Sequence, residues 1–546
     1  MSSLQSPAGA PSPMRARAAR ASASGRHAWV ITALLGVVYL ILAPSSPDLA
    51  AADYRSSVFA HAGLSLWDNS WYGGHHLLAY SLLAPGLGAL VGPQLLAAVS
   101  MVAATALFAL VIEDRFPRRA TRLAAAWFAI GASIGLLSSR VAFDLGLAIG
   151  LGCLLAAQRR RTALALVLAV LCALASPVAG AFLALAGLAW AIVGGPRAPA
   201  VGLTVLALAP IALLSFVFPE GGTQPFDASA FYPALAGVAV VGALIPSEHR
   251  ELYVGALLYA LALVGSYVIA TAVGGNVDRL GALVAGPVLA CVLAGGALAG
   301  RRARLLLVLA PLFLYWQANA PVADFAAAIS DPAVKASYYA PLLGELRALG
   351  VGYGARPARI EVVATEGHWD ARWVAPHAML ARGWERQLDR FRNDLFYESA
   401  PPSAASYEDW LARTAVSYIA LPDSPLDYSA VGEAALLRGG SVGGVREIWH
   451  SRHWRLFAVL APRPLAQPPA VAVSIGSDSM TIAVPRPGSY TVRVRFTPYW
   501  ALASGAGCLS RAGEDWTQLR ARSAGSFHIV IRFSLERVFS RGPRCD

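Results

Sequence analysis

Residues able to do chemistry gather early in a chain that is otherwise poor in charge. The stretch "AADYRSSVFAHAGLSLWDNSWYGGHH", residues 51–76, holds Asp53, Arg55, Asp68, Trp71, Tyr72, His75 and His76. A carboxylate such as Asp53 can take a proton from a hydroxyl, and an arginine such as Arg55 presents a forked set of donors that matches a phosphate. The indole and phenol rings of Trp71 and Tyr72 offer faces for stacking, and two histidines add groups that titrate near neutrality. Each residue also has a plain structural reading. The tripeptides "SPD" and "WDN" are turn and cap signals, so Asp53 and Asp68 could serve a loop or a helix end. Aromatic residues are ordinary at a membrane interface. Adjacent histidines on a helix diverge by about 100°, which makes a shared metal awkward. No Cys/His/Asp/Glu spacing supports a divalent metal, so a metal cofactor stays possible but unsupported.

The elements that must position these residues are apolar. The 546 residues are 56% hydrophobic and only 14% charged, which points to a membrane protein. A spanning helix needs about 20 apolar residues to cross the hydrocarbon. Eleven such runs are expected, near 28–44, 93–112, 121–139, 141–157, 162–176, 178–193, 199–217, 231–246, 252–272, 279–299 and 304–319. The formal charge of +12 is almost all arginine, with Lys335 the single lysine. With the N-terminus cytoplasmic, sixteen arginines fall in the basic tail and inner loops, from Arg15 to Arg304, against Arg55, Arg140 and Arg279 outside. That asymmetry predicts a cytoplasmic N-terminus, an external 45–92 loop and an external C-terminal region. It also singles out Arg55, Arg140 and Arg279 as cations at the external edge. Arg140 and Asp144 share a helical spacing of four and could simply pair, and Arg279 beside Asp278 could anchor a helix end. No basic stripe with stacking aromatics suggests nucleic acid.

The tail 1–27 is basic and Ser/Ala/Pro-rich, and reads as disordered and cytoplasmic; a cleavable signal ending in the small residues at 50–52 is the alternative. The spans occupy 28–319. Beyond them, 320–468 mixes helical patterns such as "ARGWERQLDRFRNDLFY" and "SYEDWLARTA" with the strand patterns "ARIEVVA", "VSYIALP" and "HWRLFAVL". From 469 to 546 the pattern is all strand and predicts a small antiparallel sandwich, with "TVRVRF" setting Arg493 and Arg495 on one face. Cys508 and Cys545 are the two cysteines outside the spans, and an oxidising exterior permits a disulfide between them. The Ala/Arg/Gly bias suggests a GC-rich bacterial genome.

An acidic residue in a long first external loop, then "LWDNSWYGGHHLLAYSLLAPGLGALVG" and many further spans, resembles the GT-C superfamily of polytopic membrane glycosyltransferases. The sharp matches lie within about residues 48–92. The resemblance implies a multi-pass α-helical fold of about eleven transmembrane helices, a C-terminal extracytoplasmic α/β domain ending in a β-sandwich-like part, and a polyprenyl-phosphate-linked sugar as donor. It implies Asp53 as the loop carboxylate that acts as base or organises the site. His75 and His76, with Tyr80 and Pro85 after them, resemble the family's re-entry into the membrane. Many members carry two adjacent acidic residues, whereas Tyr54 follows Asp53 here.

Three function classes follow. The first is a membrane glycosyltransferase that moves a sugar from a polyprenyl-phosphate donor to a cell-envelope glycan or lipid acceptor on the external face. Asp53 is its expected catalytic residue, and Arg55, Asp68, Trp71, Tyr72, His75, His76, Arg140 and Arg279 its expected substrate-binding residues. The second is a non-catalytic envelope-assembly or scaffold protein with the same fold, which the missing acidic pair favours. The third is a transporter, against which stand the lack of a clear inverted repeat and of midplane charges.

Overall fold

A computed structural model describes residues 27–295, 300–353, 357–540 and 542–545. The basic tail, except His27, lies outside the described residues.

A helix occupies each of the eleven expected stretches: Ala28–Leu42, Pro93–Glu113, Arg118–Gly135, Val141–Gln158, Thr162–Ala175, Pro177–Ile192, Arg197–Val217, Ala228–Leu244, Arg250–Val268, Asp278–Ala294 and Arg301–Ser330. By length and composition, seven helical segments among the described residues suffice alone to cross a bilayer, and an eighth does if a bent pair counts as one span. That pair is Ala28–Leu42 with Pro47–Ala62, bent by 80°. Three more apolar helices are shorter. The chain is thus a helix-rich membrane protein. The last helix departs from expectation by running on to Ser330. At 1.5 Å per residue its 30 residues reach about 45 Å, more than the hydrocarbon needs, so it carries the chain out to the next domain.

The expected 45–92 loop is mostly ordered into elements. Ser46 and Pro47 start the helix Pro47–Ala62, with proline at a position where its missing N–H costs nothing. Two short strands follow, β1 (Trp67–Asp68) and β2 (His75–His76), paired antiparallel with Trp67 opposite His76 and Asp68 opposite His75. The helix Ala84–Val91 then returns the chain to the bundle.

The C-terminal region sits on that end of the bundle. Its first part is a five-stranded mixed sheet of β3 (Arg359–Val362), β4 (Met379–Leu380), β5 (Val416–Pro422), β6 (Val445–His450) and β7 (Trp454–Val459), in the order β4-β3-β5-β7-β6. β3 lies parallel to β4 and β5, while β7 is antiparallel to β5 and β6. The helix expected across "ARGWERQLDRFRNDLFY" shrinks to Arg386–Arg392, because residues before it extend to meet the membrane-side helix. The second part is a pair of four-stranded antiparallel sheets. They are built from β8 (Val471–Ile475), β9 (Ser479–Val484), β10 (Gly488–Arg495), β11 (Trp500–Ser504), β12 (Gly507–Ala512), β13 (Trp516–Ala521), β14 (Gly525–Ile531) and β15 (Arg544–Cys545). The orders are β10-β13-β12-β15 and β11-β14-β9-β8. Alternation along β10 buries Val492 and Val494 in the core between the sheets. Arg493 stays partly exposed, whereas Arg495 is buried over the Trp516 ring and donates to the Tyr72 carbonyl, beside a register shift between Val492 and Arg495. Cys508 is disulfide-bonded, and its cross-strand neighbour in the β12–β15 register is Cys545.

Candidate functional site

The helix Pro47–Ala62 decides which polar residues share a cleft. Asp48, Ala52, Arg55 and Ser56 fall on one helical face and line a cleft closed by Tyr80, Ser81, Ala84, Pro85, Ser139, Val141 and Ala142. Asp53, five residues on from Asp48, lies about 140° around the helix. There its Oδ2 accepts from Arg372 Nε of the C-terminal domain at 2.5 Å. The structure therefore puts Asp48 in the cleft and ties Asp53 to a domain contact. Sequence reasoning passed over Asp48. The "SPD" helix start and the 48/52/55 spacing were the signals that could have found it, had the loop been read as a helix.

Of the three arginines singled out by their placement, Arg55 lines the cleft, and Arg140 and Arg279 lie beside it. Arg140 immediately precedes the helix Val141–Gln158, and its Nε stands 3.6 Å from Asp48 Oδ2. The guanidinium of Arg55 lies over the Tyr80 ring at 4.3 Å and pairs with Glu385 at 2.7 Å. Arg279 stands over Phe143 at 5.6 Å, within electrostatic range of Asp48, Tyr80, Arg140 and Asp144. Arg140 thus pairs with Asp48, not with Asp144 on its own helix; Asp144 is buried one turn further in. Asp324, from the long helix Arg301–Ser330, approaches from behind and accepts from Ser138 at 2.5 Å. The buried Nε atoms of Arg55 and Arg140 have no hydrogen-bond partner. A buried guanidinium donor left unmatched is costly, and an anion in the cleft would satisfy it.

A second, apolar hollow beside Arg55 is formed by Val58, Phe59, Leu64, Leu77, Leu78, Leu82 and Pro85. Arg55, Ser81 and Pro85 line both. A polar hollow and an apolar one thus lie side by side, a pairing that suits an amphipathic molecule with a charged head. Among the described residues, no group of three or more His, Cys, Asp and Glu side chains is arranged to hold a metal. The cleft carboxylate is already faced by Arg140, a donor set fitted to an anion more than to a divalent cation.

The remaining expected ligands make contacts within the protein. Asp68, Trp71, Tyr72, His75 and His76 are all buried and line neither hollow. Asp68 Oδ2 accepts from Tyr54 at 2.7 Å, and its Oδ1 accepts from the Ser70 amide at 3.0 Å. Trp71 stacks between Tyr54 and His75, at 4.5 and 5.3 Å, and donates to the Ala371 carbonyl. The Tyr72 hydroxyl accepts from the Glu385 amide at 2.8 Å. His76 Nδ1 meets Glu220 at 2.7 Å and its Nε2 meets Thr497 Oγ1 at 3.0 Å. Burial raises Glu220, but His76 outweighs it and holds the carboxyl below its ordinary range. The physical reason is shared chemistry: groups that would bind a substrate also satisfy each other where two domains exclude water.

Helices of membrane-spanning length, a bent first pair and a C-terminal domain seated over a polar cleft make this a helix-rich membrane protein with a β-sheet C-terminal region. Among solved structures, the apo oligosaccharyltransferase of Archaeoglobus fulgidus is similar at a TM-score of 0.50 and 12% identity, covering 95% of each chain. That likeness shows the fold. Two further structures of oligosaccharyltransferase from that organism align over 73% of this chain and 69% of theirs. One is AglB with an inhibitory peptide and a dolichol-phosphate, at 12% identity and a TM-score of 0.45. The other is tethered to an acceptor peptide containing the NVT sequon, at 14% and 0.44. Residues 467–546 match a family described as a domain of unknown function, DUF8823. No curated protein matches.

Proposed function

We propose that the chain is a membrane glycosyltransferase that moves a sugar from a polyprenyl-phosphate donor to a cell-envelope glycan or lipid on the external face. The observation that carries this reading is a cleft lined by Asp48 and Arg55, with Arg140 paired to Asp48, beside an apolar hollow that shares Arg55, Ser81 and Pro85 with it. The arginines would hold the phosphate, and the apolar hollow would take the first isoprene units. The carboxylate we assign to the reaction is Asp48. It would accept the proton of the acceptor hydroxyl as that oxygen bonds the anomeric carbon. The bond from the anomeric carbon to phosphate breaks, and the charge left on the lipid phosphate is met by the arginines. Asp53, paired with Arg372, supports the geometry from the domain contact.

The test is transfer from a radiolabelled polyprenyl-phosphate sugar by lipid-reconstituted protein. Asp48→Asn is expected to abolish transfer while leaving expression and donor binding intact. Asp53→Asn is expected to retain most turnover, with a stability loss within about 1 kcal/mol because that pair is partly solvated. Full loss in Asp53→Asn with full activity in Asp48→Asn would reverse the assignment. A second reading, a non-catalytic assembly protein, is favoured by the ion pair between Asp48 and Arg140, which already occupies the cleft carboxylate. A wild-type protein that binds donor but transfers nothing would support it.

A further inference from the structure

The β-sandwich carries an apolar ridge that its own core does not use. Phe533, Leu535 and Phe539 are 47%, 70% and 72% exposed. Leu535 and Phe539 stand four residues apart on the helix Leu535–Phe539, so they share one face. The opposite side of this helix is sealed against protein. Arg537 is buried and donates to the Trp500 carbonyl at 2.7 Å. Val538 packs into a cluster with Leu214 and Val217 at the end of the helix Arg197–Val217. The Tyr499 hydroxyl donates to the Val217 carbonyl at 2.6 Å and pins the sandwich to that same helix end.

The ridge adjoins an apolar helix of membrane-spanning length that protein leaves largely uncovered. The helix Arg197–Val217 has 21 residues, enough for about 31 Å, and most of it is uncovered by protein. Phe216, its penultimate residue, is 54% exposed, and the Phe539 ring lies 6.0 Å from it. Phe539 therefore stands beside the C-terminal end of this helix. Aromatic and large aliphatic side chains partition favourably at a bilayer boundary, while in water they would form an open apolar patch.

We propose that Phe533, Leu535 and Phe539 are seated in the bilayer boundary, so that the C-terminal domain is held to the membrane by lipid contact as well as through its helices. The occupant is the acyl and headgroup region of the leaflet around the helix Arg197–Val217. This seating is independent of any transfer reaction. It fixes the tilt of the sandwich over the bundle.

Spin labels at Leu535→Cys and, separately, at Phe539→Cys in protein reconstituted in phosphatidylcholine/phosphatidylglycerol nanodiscs test this. A control label goes at Val473→Cys on β8, at the far edge of the sheet that begins with β11. The free thiols among the described residues, Cys153, Cys172 and Cys291, are buried. The ratio of collisions with oxygen to collisions with a water-soluble nickel chelate is expected to be severalfold higher at 535 and 539 than at 473. Equal ratios at all three positions would overturn the proposal. So would shielding from both reagents with spin–spin broadening at 535 and 539, which would mean that a second copy covers the ridge.

Discussion

At the scale of single residues, the cleft and the C-terminal domain make different demands on charge. Arg279→Ala should weaken donor binding about 10- to 150-fold, the equivalent of the roughly 1.5–3 kcal/mol carried by a charge-assisted phosphate contact. Titration of the reconstituted protein with a polyprenyl phosphate reads this directly, and an unchanged affinity would remove Arg279 from the site. In the C-terminal domain, Glu361 and Glu433 are fully buried near Arg382 and Asp389. Burial, reinforced by Glu433, drives Glu361 well above its ordinary range; burial also pushes Glu433 up to about 7 from 4.5 against the pull of Arg382. The folded domain keeps protons that the unfolded chain would release above pH 4.5, so this pair's stability is full below that pH and declines as pH rises towards 7. Glu433→Gln retains an acceptor for the Tyr407 hydroxyl, which donates to Glu433 at 2.6 Å. Its thermal midpoint should vary less between pH 5 and 7 than that of the wild type; parallel curves would mean that Glu433 does not titrate in this window.

At the scale of elements, the hairpin of β1 and β2 works as a keystone between bundle and C-terminal domain. Trp67 reaches into the sandwich core beside Trp500, at 5.9 Å, while Arg495 donates its amide to the Gly73 carbonyl at 2.7 Å. Two tryptophans of the mixed-sheet domain grip the bend ahead of the cleft: Trp369 donates to the Ser45 carbonyl at 2.9 Å and Trp384 to the Pro47 carbonyl at 2.7 Å. The turn between the strands uses Gly74 at φ +127°, and a Cβ there would run into the Trp67 indole. Gly74→Ala should cost about 1–3 kcal/mol through strain and displaced packing. It should also lower donor affinity, because the hairpin and the Arg55 side of the cleft share Glu385. Tryptophan fluorescence during thermal unfolding checks the first effect, and a midpoint equal to wild type would argue that the turn tolerates a side chain.

At the scale of the whole molecule, the arginine asymmetry of the sequence predicts that the C-terminal domain is external. A cysteine placed at Gly440, an exposed turn residue, should then react with an impermeant maleimide on intact cells. Reaction only after lysis would invert the topology and, with it, the face on which transfer is proposed. The same topology bears on Cys508, whose disulfide needs an oxidising compartment. Peptide mapping without reductant should recover Cys508 joined to Cys545, its partner in register; free thiols at both positions would exclude that bridge.

The sequence by itself determined where the apolar helices run and where strand alternation takes over, because hydrophobic period and length are local properties that survive any packing. It also marked Arg55, Arg140 and Arg279 as a set, since arginines that break a charge asymmetry stand out without coordinates. Which carboxylate joins them was decided only by tertiary structure. Asp48 and Asp53 are equal candidates in a loop, but a helix through 47–62 turns one to the cleft and the other to Arg372. Likewise, the types of Asp68, Trp71, Tyr72, His75 and His76 said nothing of their burial. Their water is excluded by a domain several hundred residues later in the chain, and no local pattern encodes a contact over that distance.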